Sequence, residues 1–227
     1  MPLRRKPTPA TVVVLVRHGV TPTTGRELPE AGPGPALTGT GRSQAQAAAE
    51  HICAWRPSLP ALEAVYASPM LRAAETAGIV AGALGLSVTT EGDLADCDTG
   101  EWAGGDLRQL SRKPEWQEVV RHPSGFRFPG GETMAGMSSR VLGAVRGLAA
   151  RHAGQAVVAV SHADPIKAVL ADALGMHLDL FQRVVVSPAS VSAVSYTPEG
   201  PTVMFANWSP PPTPPGKRGP SAPRSQS

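Results

Sequence analysis

Two runs constrain the chain more than any others: TVVVLV (residues 11–16) and AVVAVS (156–161). Each is a short, nearly unbroken stretch of β-branched and small apolar residues, the pattern of a strand covered on both faces. Strand and helix signals alternate between and around them. LTGTGRSQAQAAAEHICAW (37–55) offers Thr38 or Thr40 as the cap of an Ala-rich helix ending near Pro57, and AVYAS (64–68) is a short strand. Ser68 then stands as the N-cap, and Pro69 as the first residue, of a second helix. LSVTT (86–90) is a third strand, 92–132 an irregular excursion with two short helices, and 134–152 a helix leading into AVVAVS. After that strand Asp164 caps, and Pro165 opens, a further helix, while SVSAVSY (190–196) and TVMFANW (202–208) form a closing strand pair. This alternation predicts a three-layer α/β/α sandwich with a mainly parallel central sheet. In such sheets ligands bind beyond the carboxyl ends of the strands.

A chain of 227 residues can bury one substantial core without disulfides or metal. We expect a flexible start (1–10), one catalytic domain (11–208) and a disordered Pro-rich tail (209–227). The two cysteines, Cys53 and Cys97, have no zinc or redox spacing, which suits free thiols in a reducing cytoplasm. Residues 1–10 lack the apolar core of a secretory signal, and no run approaches the roughly 18 apolar residues of a membrane span. The formal charge of +3 arises in the tails: of 21 Lys and Arg, six (Arg4, Arg5, Lys6, Lys217, Arg218, Arg224) lie there, leaving 15 against 18 acids. That body lacks the basic footprint of a nucleic-acid binder. Lysine occurs four times and asparagine once, at Asn207, while Ala, Gly, Pro and Arg abound, pointing to a high-GC bacterial genome.

Both buried strands end alike, one in Arg17-His18-Gly19 and the other in Ser161-His162-Ala163. The strand at 64–68 reaches the same edge and feeds a helix carrying Arg72 one turn in, near its positive end. Alone, each is an ordinary loop histidine or surface arginine. Together, Arg17, His18, Arg72 and His162 converge on a site for a doubly charged tetrahedral anion, because guanidinium forks and helix N-termini both suit phosphate. No GxxxxGK[ST] loop is present, and arginines crowded against two histidines would repel a dication.

LVRHGVT, SPMLRAAETA, LADCDTGEW, PGGET and VSHADPIKAVLADAL, in that order over residues 12–196, resemble the histidine phosphatase superfamily in its phosphoglycerate mutase-like branch. The resemblance implies that His18 is a nucleophile that becomes phosphohistidine, with Arg17, Arg72 and His162 holding the phosphoryl oxygens. Gly19 would let backbone approach the phosphate without a Cβ in the way. In the acid block Asp96 takes a position where glutamate is commoner, with Asp98 and Glu101 as reserves. The chain departs from the family elsewhere too. Thr24 stands in place of a phosphate-binding asparagine and so offers a hydroxyl, Val20 replaces a frequent glutamate, and Ala163 a common glycine. His51, His122, His152 and His177 show no partner pattern and read as surface or structural, and Glu75 is placed either to orient an arginine or to serve packing or solvent contact.

The expected activity is metal- and cofactor-independent hydrolysis of a small phosphorylated metabolite, with no nucleic-acid or membrane partner. The alternatives are a phosphomutase, a non-catalytic scaffold for phosphorylated ligands, and a metallohydrolase using both histidines. A second anion site of the kind a mutase needs is not apparent. Arg112, Lys113, Arg121, Arg127, Phe126 and Phe128 stand in the excursion, where a leaving group would meet the chain, but they do not specify a substrate.

Overall fold

The computed structural model describes residues 9–30 and 32–210. The segments expected to be loose, 1–10 and 209–227, lie outside these residues except for their inner two positions.

Six strands form one sheet in the order β3-β2-β4-β1-β5-β6: β1 (Thr11–Arg17), β2 (Leu62–Ala67), β3 (Val88–Thr90), β4 (Ala156–Ser161), β5 (Val191–Thr197) and β6 (Gly200–Trp208). The pairs among β1, β2, β3 and β4 are parallel, and β5 and β6 complete the sheet antiparallel. Helices cover both faces. On one side α1 (Gly39–Trp55) and α2 (Leu71–Leu84) pack on Val12, Val14 and Val16. On the other, α5 (Met134–Arg151) and α6 (Ala163–Ala173) pack with the 92–132 excursion on Val13 and Leu15. Residues 12–16 are therefore all buried, which explains why the run shows no polar alternation. Burying each such side chain contributes about 1.5–3 kcal/mol.

The excursion holds α3 (Leu107–Leu110) and α4 (Pro114–Arg121) among single 3₁₀ turns. Thr38 is the cap of α1, its hydroxyl accepting from the Gly41 amide at 3.0 Å. Two helix starts differ from the sequence reading. The α2 helix begins at Leu71 with Met70 at the N-cap, because Ser68 and Pro69 complete a turn in which Ser68 Oγ accepts from the Met70 amide. The α6 helix begins at Ala163 with His162 at its cap, so Asp164 lies in the first turn and pairs with Lys167. Among the described residues no helix is long and apolar enough to cross a membrane.

Candidate active site

Parallel pairing of β1 with β4 aligns Arg17 with Ser161, so the next residues, His18 and His162, leave the sheet side by side. Their ring centroids are 5.2 Å apart. On the other flank of β4, Ala67 pairs with Val160, which brings Ser68 and the start of α2 to the same edge. Arg72, only 3% exposed, enters from there.

His18 Nδ1 lies 2.7 Å from the Gly19 carbonyl oxygen. A carbonyl only accepts, so Nδ1 carries the proton and Nε2 keeps its lone pair. Arg72 Nε donates to that Nε2 at 3.2 Å, and Arg72 Nη2 donates to Asp96 Oδ2 at 3.1 Å. Asp96 Oδ2 also lies 3.6 Å from His162 Nδ1, while His162 Nε2 is 2.7 Å from Ser68 Oγ. Arg17 is anchored through Nη1 to the Val186 carbonyl at 2.8 Å. Among the described residues, three buried side-chain nitrogens remain without a partner: Arg17 Nε, Arg72 Nη1 and His162 Nδ1. Leaving buried polar groups unpaired costs roughly 1–3 kcal/mol each, so their clustering marks a place shaped for an acceptor. The N-termini of α2 and α6 face the same spot and add positive potential.

Burial, reinforced by His162 and Arg72, holds His18 well below the ordinary histidine range; burial, then Arg72 and Arg17, does the same for His162. Both rings therefore stay neutral when folded, whereas the unfolded chain protonates them near pH 6.5. Stability is fully present above that pH and falls below it, by about 1.4 kcal/mol per pH unit for each histidine, until the folded values are reached. Urea midpoints at pH 7.5 and 5.5 in phosphate-free buffer should show the drop; equal midpoints would mean that the rings titrate normally.

Of the three candidate acids, only Asp96 lines the cavity of about 390 Å³ over His18. Asp98 turns to cap the Gly100 amide and faces a second cavity, and Glu101 is exposed beside Gly130. Thr24 lines the first cavity too, but its hydroxyl contacts are with Thr21: it accepts from the Thr21 amide and lies 2.9 Å from Thr21 Oγ1. The reading of Gly19 needs correction. A Cβ there would overlap the Gly41 carbonyl oxygen, so the glycine permits close approach of α1 to the strand end rather than room for a ligand. Glu75 does orient an arginine, but it is Arg42; it also accepts from the Leu37 amide, tying α2 to the approach of α1. His51 stacks on Trp208 and His152 bonds Tyr66, both away from the site.

Two contributors escaped the sequence reading. Ser68 was read as a helix cap, yet its hydroxyl bonds His162; its place at the end of a strand sharing that edge was the available signal. Arg140 on α5 donates to the carbonyls of Asp93, Ala95 and Asp96 and pairs with Glu132, clamping the loop that carries Asp96. No motif announced it. Arg140→Met should lower unfolding free energy by about 2–3 kcal/mol, because a carboxylate and three carbonyls lose a charged donor together. A denaturation curve superimposing on wild type would contradict the clamp.

The profile of the histidine phosphatase superfamily (branch 1) matches residues 13–209. The chain belongs to this superfamily. Phosphoserine phosphatase 1 of Hydrogenobacter thermophilus is 33% identical over 162 residues, covering 70% of this chain and 74% of that protein. A protein named "Probable phosphoglycerate mutase GpmB" from Yersinia enterocolitica is 29% identical over 187 residues, covering 81% and 84%. A mycobacterial glucosyl-3-phosphoglycerate phosphatase superposes with a TM-score of 0.75 at 25% identity, over 88% of this chain and 100% of that one. Some curated relatives are longer, and the chain spans about half (51%) of a bifunctional protein of Mycobacterium tuberculosis. The α/β sandwich and the family resemblance expected from the motifs are thus both found. Among the described residues no group of three or more His, Cys, Asp or Glu is placed to hold a metal ion.

Proposed function

We propose that the protein is a metal-independent phosphomonoesterase of the bacterial cytoplasm, acting on a small phosphorylated metabolite through a phosphohistidine at His18. The observation that carries this reading is the ring of unpartnered donors, Arg17 Nε, Arg72 Nη1 and His162 Nδ1, around a histidine whose unprotonated Nε2 is aimed by Arg72 Nε. Three phosphoryl oxygens fit three donors. His18 Nε2 attacks phosphorus in line as the bond to the leaving oxygen breaks, and the cationic ring stabilises charge on the equatorial oxygens. Guanidiniums serve here without a metal, and they repel a dication from the two histidines.

Asp96 is the proposed proton donor to the leaving oxygen. A phosphoryl group arriving at Arg72 draws that guanidinium to its own oxygens and sets two anions side by side, which favours a proton on one of them. In the second step the Asp96 carboxylate takes a proton from water, which attacks phosphorus; the P–N bond breaks and neutral His18 returns. Ser68 donates to His162 Nε2, so that Nδ1 presents its hydrogen to phosphate. Thr24 braces the 21–25 turn through Thr21. Hydrolysis is favoured over transfer to a second hydroxyl because, among the described residues, the cavity lacks a second free cation cluster. Lys167, the remaining lining cation, is held by Asp164 and Gln182.

The experiment is Asp96→Asn assayed in excess EDTA on esters of graded leaving-group acidity. Loss should be about 10²–10⁴-fold for alkyl esters and small for p-nitrophenyl phosphate, whose leaving group needs no proton. Equal losses on both would remove Asp96 from the acid role. Phosphate transferred to an added alcohol in preference to water would indicate a mutase, and binding without release a scaffold.

A further inference from the structure

Resting on that phosphatase reading, we infer that the leaving group is apolar: the site is built for a phosphate monoester of an alkyl or aromatic alcohol, rather than of a small hydroxy acid or amino acid. The phosphoryl end of the cavity, at Arg17, His18, Arg72 and Asp96, gives way to a wall of Leu28, Leu107, Trp116, Val119, Val120 and Phe128. Three of these come from α4, which turns its apolar side chains toward the cavity and leaves Val120 42% exposed. Val120 also lines the cavity, so its uncovered apolar surface is available for an apolar leaving group to bury.

The wall is rigid. Trp116 stacks on Trp102 with ring centroids 6.2 Å apart and planes at 21°, and Trp102 packs in turn on Phe126 and Phe128 at 5.7 and 5.6 Å. The whole chain has only four Phe, four Trp and two Tyr, so four of its ten aromatic residues support this one surface. Such an investment suits apolar recognition, since aromatic side chains offer large contact area at little entropy cost.

Charge points the same way. Beyond the two site arginines, Lys167 is the lining cation among the described residues, and its ammonium lies 3.1 Å from Asp164 Oδ1 and 2.7 Å from Gln182 Oε1. Glu27 adds negative charge, and Asp164 is offset by Lys167. The hydroxyls of Thr21, Thr23 and Thr24 are bonded to one another. A substrate carboxylate would therefore meet acids, a committed lysine or an apolar wall, and burying it there without a partner is unfavourable.

The test uses ethyl, butyl and hexyl phosphate with phosphoserine and 3-phosphoglycerate, in EDTA. The primary alkoxides differ little in basicity, so trends along the alkyl series report the wall rather than leaving-group chemistry. We expect kcat/KM to rise about fourfold per methylene until the wall is filled, with hexyl phosphate at least tenfold above phosphoserine. Val120→Lys, a change at an exposed position, should shift the ratio of hexyl phosphate to phosphoserine at least tenfold toward phosphoserine. A flat alkyl series, or phosphoserine as the best ester in the wild type, with release still dependent on His18, would overturn the inference and leave the phosphatase reading intact. Release from none of the esters would overturn that reading, and the inference with it.

Discussion

His18→Ala is expected to lower phosphate release by about 10⁴-fold or more, while the chain still folds and still binds inorganic phosphate. No neighbour can take over the attack. His162 Nε2 is engaged by Ser68, and its Nδ1 lies among the donors that must face the phosphoryl oxygens. The fold should survive because the ring sits at the strand end beside the cavity, where water can fill the vacated space. Arg17 Nε and Arg72 Nη1 keep their orientation through Val186 and Asp96, so the anion site persists. Initial rates in EDTA, a denaturation curve and calorimetric titration of inorganic phosphate measure the three quantities, and acid- versus base-quenched samples report the phosphoprotein. The variant should form no acid-labile phosphoprotein. Residual turnover within tenfold of wild type would show that another group attacks phosphorus.

Arg72→Met should reduce kcat/KM by about 10²–10³-fold, the loss typical of one oriented donor to a developing oxyanion, and should weaken phosphate inhibition in parallel. Arg72 uses its three nitrogens in three directions: Nε to His18, Nη2 to Asp96, and Nη1 unpaired. One substitution thus removes a phosphate donor, frees the nucleophile to rotate and strips Asp96 of its cation. Arg72→Lys should recover less than a tenth of the lost activity, because a single ammonium cannot reproduce a planar fork. Near wild-type rates with lysine would mean that charge alone is what the position supplies.

The convergence of Arg17, His18 and His162 was readable in the sequence because it depends on local patterns. Two β-branched runs each specify a buried strand, and each places its histidine one step past the last paired residue. Arg72 was readable for a similar reason, since a strand followed by a helix puts the first helical turn at the same sheet edge. The helix boundaries were less secure: Ser68 and Asp164 have the chemistry of caps, but a tertiary partner, His162, claims Ser68, and Lys167, one turn along the same helix, claims Asp164.

The choice among Asp96, Asp98 and Glu101 lay beyond sequence. They fall on an irregular loop with no periodicity to assign faces, and the loop's course is set by Arg140, which is 44 residues downstream of Asp96 and reaches its backbone from α5. Gly19 and Gly41 likewise make sense only as a pair, each leaving space for the other's backbone neighbourhood across 22 positions of sequence. The sequence by itself determined the strands and their chemistry-bearing ends, because these follow from backbone preference and short-range spacing, and its motif blocks carried the resemblance to the family. Only the tertiary structure decided which acid faces His18, which partner each nitrogen of the two histidines meets, and how apolar the far wall of the cavity is. These depend on packing between segments distant in the chain, where no local propensity reaches.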